Sequence, residues 1–197
     1  MLLYGGGGHG IVLLSLLQAT GEGVSGVFDE RPASCLVRGI PIFQKYKPSI
    51  FPHESILVAV GDNVQRKRIH SFLRHPIGTA IHPSAVVDTS VMIGPGTVVM
   101  HGAIVQAQTI LGKQVIVNTG SRVDHGCSIG DFVHLAPGSV LCGGVVVGDN
   151  TCIGAGSIIV PGIRIGKDCL VAAGAVVTKN VAHGAVVRGN PARLIRS

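Results

Sequence analysis

Apolar residues recur at every sixth position through the second half of this chain. Each of seventeen consecutive hexads has Ile, Val or Leu in the same slot, which we call the anchor. The anchors are Ile81, Val87, Ile93, Val99, Val105, Leu111, Val117, Val123, Ile129, Leu135, Leu141, Val147, Ile153, Ile159, Ile165, Val171 and Val177. Neither the period of a helix nor the alternation of a half-buried strand explains this spacing, and a period of six is typical of a parallel β-helix.

The hexads also predict how such a β-helix closes. One hexad supplies one short strand and one corner, so three hexads, or eighteen residues, complete one triangular coil. Anchors then point inward and stack about 4.8 Å apart from coil to coil. Small residues four positions after the anchors, such as Ser121 and Ser157, fill the corners, and glycines directly after anchors, such as Gly112 and Gly148, are expected to supply freedom in φ.

The first part of the chain has a different pattern, in which short apolar runs end in polar or glycine-rich turns. An apolar run at 1–4 is followed by GGGGHG at 5–10 and then by an apolar stretch of helical length at 11–17. A strand, a glycine-rich turn and a helix in this order present backbone N–H groups and the helix dipole to a phosphate. Apolar runs at 24–28 and 56–60 predict two further strands of the same sheet.

Three strands with such turns predict a small Rossmann-like half-domain of about seventy-five residues. Ligands of open parallel sheets bind at the carboxyl ends of the strands, and an acid about twenty residues after the glycine-rich turn can bind a ribose hydroxyl. The domain is too short for a complete dinucleotide fold, so we expect a nucleotide-sugar platform. Its candidate binding residues are Gly7, Gly8, His9, Asp29, Glu30, Gly61, Asp62 and Asn63.

Composition narrows the choice of ligand. The chain has a formal charge of +6 and no tryptophan, and Asp168 is the one acid among the basic residues of its last part. A locally basic end without dense Lys/Arg runs favours a small, highly phosphorylated ligand such as coenzyme A over a nucleic acid. The odd number of cysteines, without metal-ligand spacing, predicts free thiols in a cytoplasmic protein. Glycine and proline interrupt the uncharged stretch at 132–148, which argues against a membrane span.

Hexads of the form [LIV]-G-x-x-[STAV]-x resemble those of the hexapeptide-repeat transferases, whose β-helix is left-handed. With its first domain included, the chain resembles sugar acetyltransferases of the NeuD/PglD type over essentially its whole length. The segments that support this resemblance are YGGGGHG (4–10), FDE (28–30), VGDN (60–63), VDHGCSIGDFVHLAPG (123–138) and RGNPAR (188–193). The resemblance implies a Rossmann-like α/β domain at 1–75, a left-handed β-helix at 76–186 and a C-terminal tail at 187–197.

The family resemblance also implies an activity. We expect acetyl transfer from acetyl-CoA to an amino group of a nucleotide-linked 4-amino-4,6-dideoxy sugar, in surface-glycan biosynthesis and without a metal. His125 matches the general base of the family, although members commonly have an acid where this chain has Gly126. His134 matches the acetyl-CoA contact, and the small residues that fit a groove for the pantetheine arm are Gly143, Ala155 and Ala173.

The spacing of the two histidines bears on the oligomeric state. His125 and His134 are nine residues apart, which is half of an eighteen-residue coil, so within one chain they should project from different faces. A site shared between the copies of a homotrimer would bring them together, as the resemblance also implies.

The sequence is also compatible with other functions. The acceptor could be a hydroxyl group, as in sialic acid or sugar O-acetyltransferases. The chain could also be a nucleotide-sugar-binding module without catalysis, for which Gly126 is the best argument. A metalloenzyme of the γ-carbonic anhydrase type uses the same β-helix, but His82, His101, His125 and His134 lack the close pair of histidine ligands that such enzymes have.

Overall fold

The computed structural model describes residues 1–30 and 39–196. Within these ranges, the first domain contains a four-stranded, fully parallel sheet with strand order β3-β2-β1-β4 and two helices. Its elements are β1 (Leu2–Tyr4), α1 (Gly8–Ala19), β2 (Gly26–Phe28), β3 (Ile42–Phe43), β4 (Ile56–Val58) and α2 (Asn63–Phe72). The predicted Rossmann-like half-domain is therefore confirmed. The two-residue edge strand β3 was not predicted, because it is too short to leave an apolar pattern in the sequence.

The hexads form a parallel β-helix, as their period predicts. Its two-residue strands are β5 (Ala80–Ile81), β6 (Val86–Val87), β7 (Met92–Ile93), β8 (Val98–Val99), β9 (Ile104–Val105), β10 (Ile110–Leu111), β11 (Ile116–Val117), β12 (Arg122–Val123), β13 (Ser128–Ile129), β14 (His134–Leu135), β15 (Val140–Leu141), β16 (Val146–Val147), β17 (Cys152–Ile153), β18 (Ile158–Ile159), β19 (Arg164–Ile165), β20 (Leu170–Val171) and β21 (Val176–Val177). Each strand pairs in parallel with the strand one coil away, so that Ile116 lies beside His134 and His134 beside Cys152. The handedness of the coil stays a prediction from the family resemblance.

Three sheets make up the sides of the β-helix. We call them face 1 (β5, β8, β11, β14, β17, β20), face 2 (β6, β9, β12, β15, β18, β21) and face 3 (β7, β10, β13, β16, β19). Two further strands, β22 (Val186–Arg188) and β23 (Arg193–Arg196), extend face 1, β22 parallel to β20 and β23 antiparallel to β22. The segment predicted as a tail thus lies largely in strands.

The anchors form the core of the β-helix. From Val99 to Val177 every anchor is at most 2% exposed, whereas Ile81, in the first coil, is 37% exposed because no coil lies beneath it. From Thr97 onward most corner residues are buried as well, and most of their hydroxyl groups donate to backbone carbonyls. Thr97 and Thr151, for example, each donate to a carbonyl oxygen at 2.7 Å. Buried polar groups of this kind cost little once they are hydrogen bonded.

The glycines that directly follow the anchors have a different role from the predicted one. Gly112 and Gly148 do not have a positive φ. A Cβ at Gly112 would lie 2.6 Å from the Asp131 Oδ1 atom, and one at Gly148 would lie 2.6 Å from the backbone nitrogen of Lys167. The prediction that these glycines supply conformational freedom is therefore wrong. They are required because the next coil passes too close for a side chain.

The first domain packs on one side of the β-helix. Residues of α1, including Leu13 and Leu14, share a buried apolar cluster with outward side chains of face 1 such as Val98 and Ile116. The four cysteines that the structure describes are free thiols, whereas Cys35 lies outside the described residues. This packing places the turn after β4 against the middle coils of the β-helix.

Two adjacent isoleucines in β18 test the role of the anchors. The Ile159 side chain is fully buried, whereas Ile158 is 40% exposed on face 2. We expect Ile159→Ala to lower the free energy of unfolding by about 2–5 kcal/mol, since it leaves a cavity in the core, and Ile158→Ala to cost clearly less. Urea unfolding of both variants measures the difference. Equal losses for the two substitutions would show that the anchor column does not dominate the stability of the β-helix.

Candidate active site

A cavity lies at the carboxyl ends of the parallel strands in the first domain. Its volume is about 360 Å³, and its lining residues are Tyr4, Gly5, Asp29, Glu30, Val60, Gln65, Arg68, Ile69 and Phe72. Aromatic side chains, two acids and a basic residue therefore surround a space at the sheet edge where ligands of such folds bind. Two of the predicted binding residues, Asp29 and Glu30, line this cavity.

The two acids have different partners in the cavity wall. The Asp29 carboxylate accepts a hydrogen bond from the backbone N–H of Gly6 at 2.6 Å, and the residue is 4% exposed. Asp29 therefore holds the glycine-rich turn in place. Glu30 accepts a hydrogen bond from the Tyr4 hydroxyl at 3.3 Å. Burial and the neighbouring Glu30 carboxylate raise the pKa of Tyr4 to about 12, so that its hydroxyl stays a donor at neutral pH.

The glycine-rich turn leads directly into α1. Gly7 is the N-cap of this helix and makes no side-chain capping bond, so the first amides of α1 lack a capping side chain. Gly8 is exposed, with open space where a side chain would begin. The ring of His9 points inward instead, and its Nε2 atom is buried without a hydrogen-bond partner. Burial, with the charges of His134 and Arg66, lowers the pKa of His9 to about 4.

The predicted binding turn at 61–63 contacts the β-helix. Asp62 is the N-cap of α2 and accepts a hydrogen bond from the Gln65 backbone N–H at 2.8 Å. The Asn63 amide donates to the backbone oxygens of Asn150 and Thr151, at 3.1 and 3.2 Å. None of the three residues of this turn lines the cavity. Its contacts instead join the first domain to the middle of the β-helix.

His134 lies under this turn, on the outer side of face 1. Its Nδ1 atom is 3.2 Å from the Gly61 carbonyl oxygen, and its Nε2 atom is 3.0 Å from the side-chain nitrogen of Asn118. A carbonyl oxygen accepts and an amide nitrogen donates, so this arrangement fits a neutral ring with its proton on Nδ1. Burial, followed by the charge of Arg66, lowers the pKa of His134 to about 4.

Arg66 is the residue of this region that the sequence did not single out. Its side chain is almost completely buried, at 1% exposure, and makes hydrogen bonds to both the first domain and the β-helix. In the sequence it is one of several basic residues in a helix, without a pattern that separates it from its exposed neighbours Lys67 and Arg68. The only local signal is the spacing of three residues from Asn63 to Arg66 and from Arg66 to Ile69. These three residues form the buried side of α2.

His125 lies apart from this cluster, at the corner between faces 2 and 3. The residue is exposed, and its backbone N–H donates to the Asp124 carboxylate at 2.8 Å. Its ring covers Gly143 of the next coil, where a Cβ would lie 2.7 Å from the His125 Cε1 and Nε2 atoms. Within the described part of the chain, no side chain forms a hydrogen bond with the His125 ring, and Gly126, at φ +64°, borders open space.

The remaining predicted cofactor residues occupy another corner. Ala155 and Ala173 follow β17 and β20 at the corner between faces 1 and 2, one coil apart, whereas Gly143 lies at the His125 corner. One chain therefore brings Gly143 together with His125, and Ala155 together with Ala173, but does not unite the two pairs.

Two negative observations concern metals and membranes. Among the residues that the structure describes, no group of three or more His, Cys, Asp or Glu side chains is placed to hold a metal ion. Neither described helix has the length and apolar character needed to cross a bilayer.

Comparison with known families agrees with the two-part architecture. Residues 1–73 match the PglD N-terminal domain, and residues 144–179 match the hexapeptide repeat of succinyl-transferase. No curated protein sequence matches the chain significantly.

Several solved structures are similar over almost the whole chain. PerB from Caulobacter crescentus, solved in complex with CoA and GDP-perosamine, is 38% identical, with a TM-score of 0.93 over 99% of this chain and 96% of that one. The acetyltransferase domain of PglB from Neisseria gonorrhoeae, in complex with acetyl coenzyme A, is 36% identical, with a TM-score of 0.89 over 98% of both chains. WeeI from Acinetobacter baumannii is 28% identical, with a TM-score of 0.88 over 98% of both chains.

These similarities show the class and the family to which the chain belongs. The fold and its relatives define a hexapeptide-repeat transferase. More narrowly, the chain belongs to the family of sugar N-acetyltransferases that join a PglD-type N-terminal domain to a hexapeptide β-helix.

The two partly buried histidines, His9 and His134, predict a dependence of stability on pH. His9 and His134 have a pKa of about 4 in the folded chain, below the ordinary value of 6.5. Between these values the unfolded chain binds more protons, so the free energy of unfolding should fall as the pH is lowered, by up to about 1.4 kcal/mol per pH unit for each histidine. Urea unfolding between about pH 7 and pH 5 measures the slope. A double variant, His9→Gln with His134→Gln, should flatten it, and an unchanged slope would contradict the assignment.

Proposed function

We propose that this protein transfers an acetyl group from acetyl-CoA to an amino group of a nucleotide-linked sugar of the 4-amino-4,6-dideoxy type. The observation that supports this most strongly is its 38% identity, over almost the full length of both chains, to an enzyme solved with CoA and GDP-perosamine. Structures of that relative, a perosamine N-acetyltransferase, also exist with one of its histidines replaced by asparagine or alanine. In our proposal, the first domain of this chain binds the nucleotide and the β-helix supplies the general base.

His125 is the proposed general base. An amine must be neutral to attack a thioester, and it must lose a proton as the C–N bond forms and the C–S bond breaks. An imidazole can accept that proton near neutral pH, and the CoA sulfur leaves as a thiolate that takes up a proton. The exposed ring of His125, supported from behind by the bare backbone of Gly143, is open to a substrate on its outer side.

The strand-end cavity is the proposed site for the nucleotide. Tyr4 and Phe72 offer aromatic surfaces, Arg68 offers a cation for a phosphate, and Glu30 offers an acceptor for a ribose hydroxyl. The amides at the start of α1, from Gly8 onward, suit the diphosphate because they carry no capping side chain.

A homotrimer is part of the proposal, since one chain does not bring the sites together. His125 lies at the corner of faces 2 and 3, while His134 and the cavity lie on the side of face 1. Faces 2 and 3 present partly exposed aliphatic side chains, among them Val86, Met92, Ile110 and Ile158. A neighbouring copy on these faces would place its own cavity beside His125.

The acetyl-CoA groove is proposed to run between such copies. His134, Gly143, Ala155 and Ala173 are the proposed contacts, because three of them are small corner residues that leave room for a thin chain.

A cytoplasmic location completes the proposal, and the free thiols of the four described cysteines are typical of a reducing compartment.

Acetyl transfer to nucleotide-linked 4-amino sugars tests the catalytic part. The wild-type protein should consume acetyl-CoA with a sugar whose nucleotide is GDP, UDP or dTDP, with sialic acid as the O-acetyl comparison. His125→Ala should lower kcat/KM by roughly 10²–10⁴, the usual effect of losing a general base, with little change in acetyl-CoA affinity. His101→Ala is the matched control, because His101 stacks on His82 at another corner. Near-normal activity of His125→Ala would place the base elsewhere.

Glu30→Gln tests the nucleotide site separately. Loss of the carboxylate should raise the KM for the nucleotide sugar about 10- to 100-fold, the effect of losing a hydrogen bond to a charged group, while the KM for acetyl-CoA stays unchanged. Glu22→Gln, at an exposed position after α1, provides the control. Steady-state kinetics with each substrate varied in turn separates the two constants. Equal changes in both would argue against the nucleotide binding in this cavity.

A further inference from the structure

Arg66 is a buried cation whose hydrogen bonds are completely satisfied. A guanidinium group has five N–H donors. The Nε atom donates to the Gln114 carbonyl at 2.9 Å, Nη1 to the Val60 and Gly61 carbonyls at 3.2 and 3.0 Å, and Nη2 to Asn63 Oδ1 at 2.7 Å and the Phe132 carbonyl at 2.8 Å. None of these five acceptors is a carboxylate.

Such an arrangement is costly for a residue that only holds two domains together. Removing a charge from water carries a large penalty, and well-packed apolar side chains are often as stabilising as a buried charged group. Burial lowers the pKa of Arg66 to about 10, so the guanidinium remains charged at neutral pH. An apolar side chain at this position could stabilise the contact equally well. Only the guanidinium group, with five N–H donors in fixed directions, can also set the relative orientation of the two domains.

The hydrogen bonds of Arg66 connect the strand-end cavity of the first domain to the β-helix. Val60 and Gly61 lie in the turn between β4 and α2, and Gln65, Ile69 and Phe72 of the same helix line the cavity. Gln114 and Phe132 belong to the β-helix. Arg66 therefore fixes the cavity wall relative to two successive coils.

The same network determines the state of His134. The Gly61 carbonyl that Arg66 binds also accepts from the His134 Nδ1 atom, and Asn118 donates to the opposite nitrogen. Burial, followed by the positive charge of Arg66, disfavours protonation of the His134 ring. The His134 ring is thus held between Asn118 of the β-helix and the Gly61 carbonyl of the first domain, which Arg66 fixes in place.

We propose that Arg66 is a positioning residue that holds the wall of the nucleotide cavity in register with the β-helix and keeps His134 neutral with its proton on Nδ1. Its effect on catalysis rests on the proposed function. Its effect on His134 does not, and can be measured without any substrate.

NMR of the ring nitrogens in ¹⁵N-labelled full-length protein tests this inference. The wild-type His134 should be neutral, with its proton on Nδ1, at about pH 6. In Arg66→Met, the midpoint of its titration should rise toward the ordinary value of about 6.5 and the Nε2–H tautomer should become populated. Lys67→Met is the matched control, because it removes an exposed cation from the same turn of α2 and should change neither property.

Arg66→Lys keeps the experiment informative if Arg66→Met does not fold. Lysine retains the charge but cannot reach five acceptors in a plane. Amide hydrogen exchange at 61–72 should therefore accelerate relative to the wild type, while the interior amides of the β-helix keep their protection. An unchanged tautomer and titration of His134 in folded Arg66→Met, or unchanged exchange at 61–72 in Arg66→Lys, would overturn the inference.

Kinetics separates this inference from the proposed function. If the wild type is an active acetyltransferase, Arg66→Lys should lower kcat/KM for the nucleotide sugar by about 10- to 100-fold, because a misplacement of the substrate by about 1 Å has an effect of that size. The change in kcat/KM for acetyl-CoA should be smaller. Absence of activity in the wild type would contradict the proposed function and leave the NMR result for Arg66 intact. Altered kinetics of Arg66→Met with an unaltered His134 spectrum in the same variant would overturn the role assigned to Arg66.

Discussion

Closure of each coil by eighteen residues is the constraint on which the rest of the structure depends. From β5 to β21 it places each strand residue beside the one eighteen positions further on, so His134 stands between Ile116 and Cys152. The same constraint places the His125 ring against position 143, where any side chain larger than that of glycine would displace the ring. An insertion of one residue in any coil would break both the core column and the surface at which the chemistry is proposed to occur.

The three sides that result from this closure have different roles. Face 1 presents apolar side chains in its first coils, and the first domain buries them. Further along the same face, the outward side chain is the polar His134, and the contacts to the first domain change to hydrogen bonds through Asn63 and Arg66. Apolar packing therefore holds the domains together, while directional bonds at the edge of that contact set their register. Faces 2 and 3 remain uncovered in a single chain, which agrees with a site that needs a second copy.

Periodic features of this protein could be predicted from sequence, and single long-range contacts could not. The anchors, the strand ends at Asp29 and Glu30 and the separation of His125 from His134 within one chain all follow from local patterns or spacing. Asn63 was predicted to bind substrate, but its amide binds carbonyls more than eighty residues away, a contact that leaves no trace in a local pattern. Arg66 was missed for the same reason. The need for glycine after the anchors was predicted correctly, but for the wrong reason. The next coil passes too close for a side chain, and this distance can be seen only in the folded structure.

The central claim is that His125 of one copy acts on an amino sugar whose nucleotide lies in the first domain of another. A crystal structure with CoA and a nucleotide-linked 4-amino sugar bound tests it most directly. The account predicts a trimer in which the nucleotide lies between Tyr4, Glu30 and Phe72, with the sugar nitrogen about 3 Å from the His125 ring of a neighbouring copy. A sugar nitrogen placed against His134 and remote from every His125, or a nucleotide bound outside the strand-end cavity, would contradict it.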